Sequence, residues 1–91
     1  MYRIVLTKQA QKDYNYWVSS GNTVAMEKIA ELLKDIVKHP YTGIGKPEPL
    51  KYDLSGKWSR HINGEHRIIY SVNNKEIEVY VFSMKYHYLK K

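Results

Sequence analysis

A glutamate between two prolines is the first residue in this chain that could do chemistry. In the stretch Lys46-Pro47-Glu48-Pro49, each proline fixes its own φ and favours an extended backbone in the residue before it. Glu48 is therefore held stiffly, as a carboxylate that accepts a proton from a substrate should be. A glutamate that is simply solvated in a loop is the alternative reading of the same stretch.

A histidine near the end of the chain is the second candidate. His87 follows a predicted strand and lies among tyrosines and lysines. Histidine changes its protonation state near neutral pH, so it can act as a general acid. An ordinary histidine without a chemical role is the alternative here as well.

Two arginines flank a hairpin signal in the stretch 56–70. Asn63-Gly64 between two β-rich runs is typical of a two-residue turn, which places Arg60 directly opposite Arg67. Like charges in that arrangement are destabilising, so the pair indicates an anion shared between them. Arginine binds phosphate through two parallel hydrogen bonds. A salt-bridge network with Glu78 is the structural alternative.

Together these residue types form a complete set for cleaving RNA without a metal. The 2′-OH attacks the adjacent phosphorus, which requires a proton acceptor, a cation for the developing charge and a proton donor for the leaving 5′ oxygen. No HxH, HExxH or carboxylate cluster occurs, and no Gly-rich phosphate loop of the nucleotide-binding type. We therefore expect neither a metal site nor a cofactor.

The composition predicts one soluble domain spanning residues 1–91. Fifteen Lys and Arg against nine Asp and Glu give a net charge of +6, which suggests an anionic partner such as nucleic acid; a basic surface that serves only solubility is an equal alternative. The chain has no cysteine, no signal-type apolar segment near its start and no run approaching the ~18 apolar residues of a membrane span. We expect a cytoplasmic protein without membrane contact.

The hydrophobic pattern predicts the element order β-α-α-β-β-β-β. Residues 2–6 alternate as a strand, and Thr7 can cap a first helix with Ala10, Tyr14, Trp17 and Val18 on one face. Asn22 or Thr23 can cap a second helix that ends at His39-Pro40. Its apolar stripe is Ile29, Leu32, Leu33, Ile36 and Val37. The later strands are predicted around 50–52 and over 58–62, 66–72 and 77–84.

This order indicates an α+β fold with both helices on one face of a twisted, largely antiparallel sheet. Within the strand over 66–72, Ile68, Tyr70 and Val72 form the apolar face that the helices should cover. Arg67 then points to the uncovered face. The two-residue turn places Arg60 and Trp58 there as well.

Several blocks of the sequence carry a family resemblance. They are Gly43-Ile-Gly-Lys-Pro-Glu-Pro-Leu-Lys51, Leu54-Ser-Gly-Lys-Trp-Ser-Arg-His-Ile62, Glu65-His-Arg-Ile-Ile-Tyr70 and Tyr86-His-Tyr88, together with Asp13-Tyr-Asn-Tyr-Trp17. The sequence carries these blocks in the same order over nearly the whole chain, and it resembles the YoeB (Txe) toxins of the RelE/ParE superfamily. The resemblance implies a RelE-like, microbial-RNase-like fold.

The resemblance also implies an activity and roles for residues. It implies a type II toxin that enters the ribosomal A site and cuts mRNA there, with Glu48 as general base, Arg67 as transition-state arginine and His87 as general acid. Tyr88 would stack or orient. The resemblance implies that RNA is contacted by Lys46, Lys51, Arg60 and His61. The family often has a second arginine at the position of His61.

The partners implied by the resemblance are the ribosome, mRNA and a cognate antitoxin of Phd/YefM type with an acidic, disordered C-terminal segment. It also makes a homodimer an expectation, and the candidate surface is the tyrosine-rich first helix with Tyr14, Tyr16 and Trp17. A non-enzymatic toxin of the ParE-like branch, which binds DNA gyrase, is the alternative. That branch is not expected to carry the Glu, Arg and His-Tyr set.

Overall fold

A computed structural model describes residues 1–86, in which two helices pack on a five-stranded sheet. The elements are β1 (Arg3–Leu6), α1 (Lys8–Ser20), α2 (Thr23–Lys38), β2 (Glu48–Pro49), a 3-10 turn (Tyr52–Leu54), β3 (Trp58–His61), β4 (Arg67–Asn73) and β5 (Glu78–Ser83). The strand order is β1-β5-β4-β3-β2; β1 runs parallel to β5 and every other pair is antiparallel. The predicted α+β class and element order are confirmed, but the strand expected around 50–52 lies at Glu48–Pro49 instead, and residues 52–54 form the 3-10 turn.

Both helices begin at the residues whose side chains can cap them. The Thr7 hydroxyl accepts a hydrogen bond from the Ala10 N–H at 3.1 Å, and the Asn22 side chain accepts one from the Ala25 N–H at 3.0 Å. These caps satisfy N–H groups that the first turn of a helix leaves without partners. No helix among residues 1–86 is both long and apolar enough to cross a membrane.

The apolar stripe of α2 packs on the sheet as predicted, whereas the face of α1 differs from the prediction. Tyr14 and Val18 are exposed, and Asp13 is buried in their place beside Ala10 and Trp17. The burial of Asp13 has a polar cause, since its carboxylate accepts a hydrogen bond from the Met84 N–H at 2.8 Å. An apolar pattern cannot reveal a side chain that is buried to satisfy a backbone group.

The turn between β3 and β4 is longer than predicted, and the register changes with it. The Asn63 side chain accepts hydrogen bonds from the N–H groups of Glu65 and His66, at 2.9 and 2.8 Å. This closes a loop over residues 62–66 and pairs His61 with Arg67. A shift of one residue moves every side chain of a strand to the other face.

The expected opposition of Arg60 and Arg67 is therefore wrong. Arg60 lies opposite Ile68 and Trp58 opposite Tyr70, so both point to the face that the helices cover. The assignment within β4 is confirmed, because Ile68 and Tyr70 belong to the hydrophobic core. Arg67 remains on the face that neither helix covers, which we call the open face.

We predict that Asp13 stabilises the fold through the Met84 backbone. Asp13→Ala leaves a buried N–H without an acceptor and should lower the free energy of unfolding by about 1–3 kcal/mol. Asp13→Asn retains an acceptor oxygen and should lose clearly less. Chemical denaturation measures both, with the exposed Asn15→Ala on the same helix as control. A loss for Asp13→Ala no larger than that of the control would contradict this role.

Candidate active site on the open face

The strand register brings Glu48 and Arg67 to the open face. Glu48 lies opposite Ser59, Ser59 lies opposite Ile69, and Arg67 is two residues before Ile69 on β4. In an ideal sheet, strands are ~5 Å apart and alternate residues ~7 Å apart, so the two Cα atoms are separated by about 12 Å. Side chains of this length can reach a single phosphodiester placed between them.

The backbone on both sides of Glu48 is anchored to β3. The Gly45 carbonyl accepts a hydrogen bond from the His61 N–H at 2.7 Å, and the Leu50 N–H donates to the Lys57 carbonyl at 2.9 Å. Gly45 has φ +79°, and a Cβ there would lie 2.6 Å from a methyl of Leu32. The close approach requires glycine, and it fixes the path of the backbone that carries the exposed Glu48.

The Arg67 residue is largely buried, yet the described residues bind its guanidinium only weakly. Nη1 lies 3.4 Å from the carbonyl oxygens of Asn63 and His66, which is long for a hydrogen bond. No carboxylate of residues 1–86 lies within ion-pair distance of it. This guanidinium retains the capacity to bind an anion.

Glu78 does not neutralise either arginine of the hairpin. Its carboxylate pairs with Arg3 and accepts a hydrogen bond from the Tyr80 hydroxyl at 2.8 Å. The alternative of a salt-bridge network between Glu78 and the hairpin arginines is therefore wrong, because Glu78 binds Arg3 and Tyr80 instead.

Arg60 is a structural residue, and its predicted contact with RNA phosphate is wrong. Its side chain has no exposed surface. All of its N–H groups are engaged: Nε with the Tyr70 hydroxyl at 3.1 Å, and the two terminal nitrogens with the Asp35 carboxylate and three backbone carbonyls. The carbonyls are those of His39, Thr42 and Ile44. No donor remains for an external phosphate.

The Arg60 network shifts the pKa of two neighbouring groups. Burial raises the pKa of Asp35, but the hydrogen bond and the charge of Arg60, with the Ile44 N–H, outweigh it and lower the pKa below 3.8. Burial raises the pKa of the Tyr70 hydroxyl above 10.0. Tyr70 is neutral, accepts from Arg60 and donates to the Pro40 carbonyl at 2.7 Å.

The remaining predicted site residues fall into three groups. His61 lies on the open face directly opposite Arg67 and is half-buried. Lys46 and Lys51 are exposed on either side of β2. His87 and Tyr88 lie outside the described residues. Up to Tyr86 the chain runs beside the hairpin, because the Arg67 N–H donates to the Tyr86 carbonyl at 3.1 Å.

Sequence reasoning missed two residues of this region. The Ser59 hydroxyl is fully buried on the open face opposite Glu48, and it has no hydrogen-bond partner among the described residues. His66 accepts a hydrogen bond from the Tyr86 N–H at 2.7 Å through Nδ1, and so fixes the chain just before His87. The correct strand register would have placed Ser59 on the open face beside Glu48. The contact of His66 with Tyr86 can be seen only in the folded structure.

Within residues 1–86 no group of three His, Asp or Glu side chains is arranged to hold a metal ion. The chemistry that the described groups can perform is proton transfer by a carboxylate and stabilisation of an anion by a guanidinium.

The model of the family "YoeB-like toxin of bacterial type II toxin-antitoxin system" matches residues 6–88, and the chain belongs to this family. Toxin YoeB of Escherichia coli K12 is 40% identical over 86 residues, covering 94% of this chain and 99% of that protein.

Solved structures agree with this assignment. A YoeB/ParE toxin from Agrobacterium tumefaciens superposes with a TM-score of 0.88 at 37% identity, over 94% of this chain and 99% of that one. The toxin in a YoeB-YefM complex from Staphylococcus aureus gives 0.82 at 43%, over 97% and 99%. A YoeB dimer from the same species gives 0.83 at 42%, over 96% and 98%.

The ion pair of Asp35 and Arg60 predicts a pH dependence of stability. The pKa of Asp35 is lower in the folded chain than in the unfolded one, so its contribution is complete above the unfolded pKa of about 3.9 and is lost as pH falls through the folded value. The difference in unfolding free energy between the native chain and Asp35→Asn should therefore shrink as pH falls from about 5. Urea titrations at several pH values measure it.

The matched control is Asp53→Asn, which removes an exposed carboxylate from the 3-10 turn. Its difference from the native chain should change less over the same pH range. A difference for Asp35→Asn that stays constant down to pH 2 would show that the carboxylate is not held by Arg60.

Proposed function

We propose that this toxin is a ribosome-dependent, metal-independent endoribonuclease that cleaves mRNA in the ribosomal A site and thereby inhibits translation. The observation that supports this most is the register that puts Glu48 and the weakly bound Arg67 guanidinium on one open face. Membership of the YoeB-like family agrees with it.

In the proposed reaction, Glu48 accepts the proton of the ribose 2′-OH while that oxygen attacks the adjacent phosphorus. Arg67 donates hydrogen bonds to the phosphorane oxygens as their charge develops. His87 protonates the departing 5′ oxygen, and Tyr88 orients it or stacks on the RNA. The P–O5′ bond breaks, leaving a 2′,3′-cyclic phosphate and a 5′-OH.

The positive residues around Glu48 serve RNA binding in this proposal. Lys46 and Lys51 contact phosphates beside β2, and His61 contacts the phosphate that Arg67 addresses or the next one. Because the candidate groups lie on a sheet surface, the ribosome would supply the geometry that a deep groove supplies in other nucleases. Such a toxin acts in the cytoplasm, where mRNA is translated.

We further propose that a cognate antitoxin of Phd/YefM type silences the toxin by covering this positive surface with an acidic, disordered segment. The Staphylococcus aureus toxin has been seen with YefM and as a dimer. The net charge of +6 supports an acidic partner. The exposed Tyr14 and Tyr16 of α1 are the surface we assign to a homodimer, without Trp17, which is buried in the core.

The proposal predicts cleavage within the A-site codon of programmed ribosomes, with a 5′-OH on the downstream fragment. Free mRNA at equal protein concentration should be cut at least ~100-fold more slowly, because it lacks the imposed geometry. Mapping of mRNA 5′ ends measures both rates. Equal rates would contradict ribosome dependence. Inhibition of DNA gyrase without cleavage would favour the ParE-like alternative.

Variants on intact programmed ribosomes separate the roles of the three groups. Glu48→Gln and His87→Ala should each lower the cleavage rate by about 10²–10⁴. The control is Glu27→Gln, which changes an exposed carboxylate on α2 and should leave the rate unchanged. An mRNA with a 5′-phosphorothiolate at the cut site has a leaving group that needs no proton. It should rescue His87→Ala but neither Glu48→Gln nor Arg67→Gln. Equal rescue of Glu48 and His87 variants would contradict the assignment.

A further inference from the structure

Phe82 is an aromatic residue that the fold presents on the open face. In the pairing of β4 with β5, Tyr70 lies opposite Val81 and Ile69 opposite Ser83, so Phe82 is the extra residue of a β-bulge. Bulges redirect side chains and are frequent beside active sites. Val81 points into the hydrophobic core, whereas Phe82 is half-buried and is not among the side chains packed there. Its ring therefore lies on the other side of the sheet.

A lysine accompanies this ring. Lys57 Nζ lies 4.7 Å from the centre of the Phe82 ring. Lys57 precedes Trp58, which packs against the core, so alternation along the strand also places Lys57 on the open face. Its carbonyl accepts the Leu50 N–H and so joins it to the segment that carries Glu48. Ring and ammonium are thus built into the same surface as the candidate active site.

The position of the ring relative to Arg67 suits a neighbouring nucleotide. Phe82 is one strand away from Arg67 and two to three residues along it, which corresponds to roughly 8–11 Å in an ideal sheet. Aromatic side chains on an open sheet surface are a common platform for single-stranded RNA, because every base has a face that stacks. A nearby cation adds attraction for the phosphate of the stacked nucleotide.

We propose that Phe82 and Lys57 form a nucleotide subsite that stacks one base of the mRNA next to the cleaved bond. The base takes the place of the ammonium over the ring, and the flexible Lys57 side chain turns to the phosphate of that nucleotide. This subsite rests on the proposed RNase function. In this subsite Phe82 positions the RNA for cleavage and has no direct role in proton transfer.

The test is a cycle between protein and RNA variants on programmed ribosomes. The mRNA is either intact or carries a single abasic nucleotide at one of the positions in or flanking the A-site codon. The values of kcat/KM are measured for the native chain, Phe82→Leu, Phe82→Trp and Lys57→Gln. Val24→Ala, which changes an exposed apolar side chain on α2, is the control.

On intact mRNA, Phe82→Leu should lower kcat/KM by about 5- to 100-fold, and Phe82→Trp should largely preserve it. On mRNA that is abasic at the stacked position, the loss caused by Phe82→Leu should shrink to less than about two-fold. Lys57→Gln should lower kcat/KM on both. Val24→Ala should leave it unchanged.

Three results would overturn the subsite. One is that Phe82→Leu leaves kcat/KM intact; another is that its loss is the same on every abasic mRNA, which a merely structural role produces. The third is that Phe82→Leu weakens binding of the antitoxin but not cleavage, which would assign the ring to that partner. If the native chain cuts no mRNA, the proposed function itself fails and the subsite fails with it.

Discussion

The buried guanidinium of Arg60 is the interaction on which the candidate active site depends. It pairs with Asp35 of α2 and holds three backbone carbonyls of the loop over residues 39–44, while Tyr70 joins it to the sheet. A buried charge is stable only when its hydrogen-bonding groups are all paired. The planar fork of arginine satisfies this arrangement, and the ammonium of lysine, with three donors, could not.

The loop that Arg60 holds leads directly to Glu48. Gly43 and Gly45 allow it to pass close to Asp35 and Leu32, and the Gly45 carbonyl then binds β3. The position of the candidate base is thus determined by a residue that has no exposed surface of its own. The two arginines of the hairpin have different roles: Arg60 organises the loop, whereas Arg67 lies on the open face, largely buried, with guanidinium donors that can bind an anion.

The sequence predicted most of this architecture, because its signals are local. Caps at Thr7 and Asn22, the apolar stripe of α2 and the alternation within β4 all depend on neighbouring residues, and all were confirmed. The predicted register of the β3–β4 hairpin was wrong. Asn63-Gly64 is typical of a two-residue turn, but here the Asn63 side chain closes a longer loop. That single residue of shift exchanged the faces of Arg60 and His61. The burial of Asp13 and the bulge at Phe82 depend on β5 and on Met84, more than sixty residues from Asp13, and no local pattern reports such contacts.

The division of roles between the two arginines is tested most directly by the salt dependence of ribosome binding. The slope of log affinity against log salt counts the phosphates that a protein contacts. Arg67→Gln should reduce the magnitude of that slope by about one unit, and Arg60→Gln, compared at a temperature where it remains folded, should leave it unchanged. A reduced slope for Arg60→Gln with an unchanged one for Arg67→Gln would contradict this account of the site.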